Sequence, residues 1–133
     1  MFKQRIALRW GDYDALQHVN NVRYFEFMQD SRVGFIESLG IERGRLVEIG
    51  HVVAHAEIDY RKSIGMDARE VLVNLWIERV GGASYTVGYE FTDEAGTVYA
   101  EAKTVMVTME MSTQTVVRIP DDVRAHLQQG IRG

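Results

Sequence analysis

Three observations assign this sequence to the α+β class. One long apolar helical pattern, Asn21 to Leu39, lies near the start, and almost everything after it alternates as strands do. Those strands follow one another through tight turns, with no helix between them to serve as a crossover, so the sheet is antiparallel rather than doubly wound. The helix is apolar over more than one narrow stripe, which predicts a curled antiparallel sheet wrapped around one long central helix. At 133 residues the chain is expected to form one domain spanning 1–133.

Residues 3–10 alternate imperfectly and read as a first strand, followed by a loop over 11–20. In the helix, Val22, Tyr24, Phe25, Phe27, Met28, Val33, Phe35, Ile36 and Leu39 are apolar, and Glu26, Asp30, Arg32 and Glu37 leave a limited polar face. Gly40 suits a C-cap, and Ile41–Glu48 suits one further helical turn before Gly50. Over 51–61 the odd positions, His51, Val53, His55, Glu57, Asp59 and Arg61, are mostly polar. Val52, Ala54, Ala56, Ile58 and Tyr60 between them predict a strand with one buried face.

After a connection at 62–67, Val71, Val73, Leu75 and Ile77 alternate with Leu72, Asn74, Trp76 and Glu78. Gly81-Gly82 turns this strand into Tyr85, Val87, Tyr89 and Phe91, which makes a hairpin. Asp93–Gly96 turns again into a long strand over about 98–109, and Thr113–Val117 suits a short last one. Pro120 then opens a terminal helix, Asp121–Gln129. A curled antiparallel sheet leaves edges, and pairing with another subunit is the common protection, so a homodimer or homotetramer is expected.

Composition removes several classes of function. With 46% apolar and 26% charged residues the chain has ordinary globular composition, and no apolar run approaches the about 20 residues of a membrane span. The start alternates charged and apolar residues, unlike a secretory signal, so a cytoplasmic location is expected. The absence of cysteine excludes disulfides, thiolate zinc sites and a cysteine nucleophile. The net charge of −4, without a basic stripe, argues against nucleic acid as a partner. No serine lies in a G-x-S-x-G context, and neither a P-loop nor a dinucleotide fingerprint occurs. His51 and His55 share their strand with Glu57 and Asp59, but this extended spacing also describes a solvated face, and no metal is expected.

The chemistry concentrates in the loop before the long helix, where Asp12, Asp14, His18, Asn20 and Asn21 fall close together. A helix start presents unpaired backbone N–H groups and partial positive charge, suited to a carbonyl oxygen becoming an oxyanion. Asp14 is a candidate catalytic carboxylate, although aspartate near a helix start also stabilises without catalysing. Asp12 suits a turn. His18 follows Asp14 by four residues, within reach of acid–base work. Asn20 or Asn21 suits a cap. Tyr24 points to a pocket or packs. Arg61 and Lys62 suit the phosphates of a coenzyme or a solvated strand end.

The stretch Asp14-Ala15-Leu16-Gln17-His18-Val19-Asn20-Asn21-Val22-Arg23-Tyr24 resembles the signature of the hotdog-fold acyl-thioesterases. The nearest branch is 4-hydroxybenzoyl-CoA-thioesterase-like and includes bacterial long-chain acyl-CoA thioesterases. Asp59-Tyr60-Arg61-Lys62 after the helix agrees with it. The resemblance implies a hotdog fold and hydrolysis of an acyl-CoA thioester without a cofactor. Asp14 would be nucleophile or general base, His18 would orient water or the carbonyl, and the backbone N–H near Asn21 would be the oxyanion donor. Tyr24, Arg61 and Lys62 would meet the substrate. Leu16 stands where plant acyl-carrier-protein thioesterases have asparagine, so the likeness does not extend to an asparagine-assisted mechanism. Two other readings stay open: an acyl-CoA hydratase or dehydratase of the same fold, and a non-catalytic acyl-CoA-binding module.

Overall fold

The strand-forming runs assemble into one antiparallel sheet, with the longest helix packed on its inner face. The computed structural model describes residues 1–132. In order, the elements are β1 (Phe2–Ala7), a 3-10 turn (Trp10–Asp12), α1 (Asn21–Ser38), α2 (Arg43–Glu48), β2 (Ile49–Tyr60), β3 (Glu70–Val80), β4 (Ser84–Thr92), β5 (Val98–Glu110), β6 (Thr115–Val116) and α3 (Asp121–Gln128). The sheet order is β1-β3-β4-β5-β2, with β6 on β5 and every pairing antiparallel. This is the expected α+β architecture. β1 is shorter than the alternation over 3–10 predicts, because the chain turns at Arg9, whose carbonyl accepts the Asp12 N–H at 2.9 Å.

Tyr24, Phe27, Met28, Ser31, Phe35 and Ile36 recur at helical spacing and are buried. All but Ser31 form one core with the inward residues of β3 (Val71, Val73, Leu75, Ile77) and β4 (Tyr85, Val87, Tyr89, Phe91). On β5 the facing positions are small, Ala100 and Ala102, and leave room for aromatic rings. Asn20 caps the helix, its Oδ1 accepting the Val22 N–H at 2.9 Å. Gly40 ends it at φ of +100°, a backbone conformation that favours glycine.

Two expectations change. The sheet covers one face of α1 and leaves a stripe open: Val22, Phe25 and Val33 are 65%, 42% and 45% exposed. β2 has no buried face over most of its length, since 52–57 are exposed throughout. The physical cause is its place at the sheet's end, paired only with β5. Its alternation also breaks: Val53 pairs with Met106 and His55 with Val105, so Ala54 is the extra residue of a bulge. The bulge turns His51 and Val53 to the same face as Ala56, Ile58 and Tyr60, and sets His55 on the other. His51 is therefore an inward residue, not part of the polar face.

Candidate active site

The loop between β1 and α1 is built from its backbone outward. The Asp14 N–H donates to the His18 carbonyl at 3.0 Å, and the Asp14 carbonyl accepts from Gln17 at 2.9 Å. Gln17, at φ of +64°, closes this tight turn. Antiparallel bridges Tyr13–Val19 and His18–Gly65, with the Val19 N–H on the Ile64 carbonyl at 3.0 Å, tie the loop to the 62–67 connection. Beneath it lies Asp12, 2% exposed. Its carboxylate accepts the Arg9 N–H at 2.7 Å and faces the guanidinium groups of Arg9 and Arg23, each at 3.9 Å. Asp12 thus holds the loop in shape, as the turn role expected of it implies.

Asp14 is half-buried, and its Oδ1 accepts the Leu16 N–H at 2.9 Å. The second carboxylate oxygen makes no hydrogen bond among the described residues. The His18 and Asn21 side chains are exposed, and no hydrogen bond joins His18 to Asp14 through their side chains. At the helix start, the Val22 N–H is taken by the Asn20 cap and the Arg23 N–H by the Asn20 carbonyl at 2.9 Å. The Asn21 N–H has no acceptor among the described residues. An available N–H at the positive end of an 18-residue helix, one loop away from a carboxylate, is suited to an oxyanion.

Tyr60, at the end of β2, donates its hydroxyl to the Asn21 carbonyl at 3.1 Å and so pins the strand end to the helix start. Sequence alternation shows Tyr60 as an inward aromatic but cannot show this bond. Tyr24 is 2% exposed, its ring edge-on to Tyr60 and Phe91, each at 5.0 Å. Burial pushes its phenol up to about 12. Arg61 and Lys62 are exposed just beyond β2, where both backbone N–H groups donate to the Tyr99 carbonyl, at 2.8 and 3.0 Å. The Arg61 guanidinium is engaged by Glu101 at 3.0 Å, whereas Lys62 makes no ion pair among the described residues. His51 and His55 face opposite ways across the bulge, and no cluster of three or more metal-ligating side chains occurs among the described residues. Among the described residues no helix is long and apolar enough to cross a membrane.

Comparison with known proteins agrees with this architecture. The long-chain acyl-CoA thioesterase FadM of Escherichia coli strain K12 is 27% identical over 130 residues, covering 96% of this chain and 98% of that protein. Among solved structures, the PA5185 protein from Pseudomonas aeruginosa strain PAO1 superposes with a TM-score of 0.85 at 26% identity, over 100% of this chain and 93% of that one. The DHNA-CoA thioesterase from Staphylococcus aureus shares the fold, with a TM-score of 0.83 at 21% identity, over 96% of this chain and 90% of that one. The family model described as the thioesterase-like superfamily matches residues 8–127. With the helix and sheet of a hotdog fold and that match over most of its length, the chain belongs to the thioesterase-like superfamily of thioester hydrolases.

Proposed function

We propose that the protein hydrolyses an acyl-CoA thioester to the free acid and coenzyme A, with the chemistry at Asp14. The observation that carries this reading is the free Asn21 N–H beside the Asp14 loop. The thioester carbonyl oxygen is received by that N–H, where the helix dipole favours the charge that develops on it. The Asp14 oxygen that is not engaged by Leu16 attacks the carbonyl carbon, or takes a proton from a water that does so. The C–S bond breaks as the oxyanion collapses and the thiolate leaves. Where Asp14 is the nucleophile, water then hydrolyses the acyl–Asp14 anhydride to the free acid and restores the carboxylate; where Asp14 is the base, the proton it took passes to the thiolate or to solvent. His18, exposed at the loop rim, orients the water. Tyr24 acts on the acyl group through Tyr60, against which it packs, and Lys62 with Arg61 meets the coenzyme phosphates. No cofactor enters any of these steps.

The active form is a homodimer joined through β2. Its outer backbone edge is unpaired among the described residues, and Val52, Val53 and Tyr60 on this strand are 38%, 41% and 43% exposed. The open stripe Val22, Phe25 and Val33 belongs to the same uncovered side of the molecule.

The test is thiol release from short, long, branched and aromatic acyl-CoAs by the wild type and Asp14→Asn, with the fold of both checked by circular dichroism. Release by the wild type, with a loss of about 100-fold or more in the folded variant, is the expected result. Unchanged release by Asp14→Asn removes Asp14 from the mechanism. Loss of enoyl absorbance without thiol release would identify a hydratase instead.

A further inference from the structure

Between the middle of α1 and the first half of β2 lies a cavity of about 370 Å³. Its walls are largely apolar, with Val33, Ile36, Leu46 and Met106, and its polar lining side chains are Gln29, Arg32, His51 and Tyr85, of which Arg32 alone is a fixed cation. Their environments define what each presents. His51 Nδ1 lies 2.6 Å from the Tyr85 hydroxyl. Burial pushes the Tyr85 phenol up, so it keeps its proton and shares one hydrogen bond with Nδ1. The other ring nitrogen, Nε2, is buried and has no partner among the described residues. The guanidinium of Arg32 is oriented by donating to the Tyr89 hydroxyl at 3.0 Å, itself 2.7 Å from Thr104 Oγ1. Among the described residues Arg32 makes no ion pair.

A half-buried guanidinium without a counter-charge is unfavourable in a largely apolar chamber. One ligand group relieves this, a carboxylate, whose oxygens accept charge-assisted bonds from arginine. The apolar walls suit the methylenes that lead to it. We propose that this chamber receives the far end of an acyl group that itself terminates in a carboxylate, so that the substrate is the monothioester of a dicarboxylic acid.

This inference rests on the thioesterase reading and on its β2-paired dimer. In an antiparallel pair centred on the strand, the Tyr60 end of one β2 lies beside the Gly50–His51 end of the other. Tyr60 is bonded to Asn21, so the thioester held by one protomer opens toward the chamber of its partner.

The experiment compares kcat/KM for carboxylate-ended, hydroxyl-ended and methyl-ended acyl-CoAs of matched length, using the full chain and its Arg32→Gln and Arg32→Lys variants, with folding checked. The expected result is a preference for the carboxylate end at one chain length of roughly tenfold to a hundredfold. Arg32→Gln brings that ratio toward one, and Arg32→Lys restores part of it. A methyl or hydroxyl end accepted as well at every length overturns the proposal, as does a ratio that Arg32→Gln leaves unchanged. If no acyl-CoA releases thiol, the thioesterase reading fails and the chamber is judged separately by calorimetry with free dicarboxylic acids. Binding that Arg32→Gln abolishes then upholds the chamber, and absence of binding to the wild type overturns it.

Discussion

Lowering the pH should destabilise the fold through His51. Burial holds its imidazole down to about 4, against about 6.5 in an unfolded chain. The unfolded chain therefore takes up the proton first. The contribution of neutral His51 is fully present above about pH 6.5 and is lost as the pH falls through that value toward 4. The gap corresponds to about 3 kcal/mol at the limit, of which about 2 kcal/mol is gone by about pH 5. The titratable and charged groups facing the ring are Tyr85 from β4 and Arg32 from α1, side-chain types that keep their charge state over this range. The assay is urea denaturation, followed by tryptophan fluorescence at fixed protein concentration, on wild type and His51→Phe between about pH 7.5 and 5. Phenylalanine fills the site but leaves the Tyr85 hydroxyl without its partner, costing roughly 1–3 kcal/mol at every pH. The wild type should lose about 2 kcal/mol more than the variant across the range. A difference between the two that does not change with pH would refute the reasoning, because His51 would then bind its proton equally in both states.

Three further substitutions test the scaffold. Asp12→Ala deletes the buried acceptor of the Arg9 N–H and should cost about 1–3 kcal/mol in urea denaturation, with catalytic rate falling because the Asp14 loop rests on this carboxylate. Gly40→Ala places a Cβ at φ of +100° and 2.8 Å from His126 Nδ1; a loss of about 1–3 kcal/mol is expected by thermal melting, and an unchanged midpoint would show that the α1 terminus adapts. Val53→Asp lies 41% exposed on β2, so it should leave the fold intact by circular dichroism while light scattering shows dissociation to monomer and thiol release falls. A dimer of unchanged mass would move the interface away from β2.

The parts legible in the sequence are those governed by local periodicity. The inward residues of α1 recur at helical spacing, and the turns at Gly81-Gly82 and Asp93–Gly96 fix the meander, so α+β and the strand succession follow from residues alone. The faces of β2 do not. A single extra residue at Ala54 reverses the alternation without any mark in composition, so His51, polar and in phase with His55 by counting, turns inward. The bond that makes it matter joins it to Tyr85, 34 residues away. Asp12 and Asp14 pose the same difficulty. Both are loop aspartates before a helix, and only burial separates the one under the loop from the one at its rim.

The stripe that made α1 read as wrapped is also the feature that ties its apolar surface to the chemistry. A helix that needed only to sit on this sheet would be apolar along the line of Tyr24, Phe27, Met28, Ser31, Phe35 and Ile36 and polar elsewhere. Val22, Phe25 and Val33 exceed that need, and β2 likewise carries more apolar surface than its pairing with β5 covers. Both excesses lie along the uncovered side that runs from the Asp14 loop to the Arg32–His51 chamber. In the proposed dimer a second copy covers part of this side and the acyl chain covers the rest. The chain length the enzyme accepts is then set by how much of the stripe the partner leaves open. Polar substitution at Phe25 should therefore shorten the preferred acyl chain, whereas the same change at Val52 should weaken the dimer first.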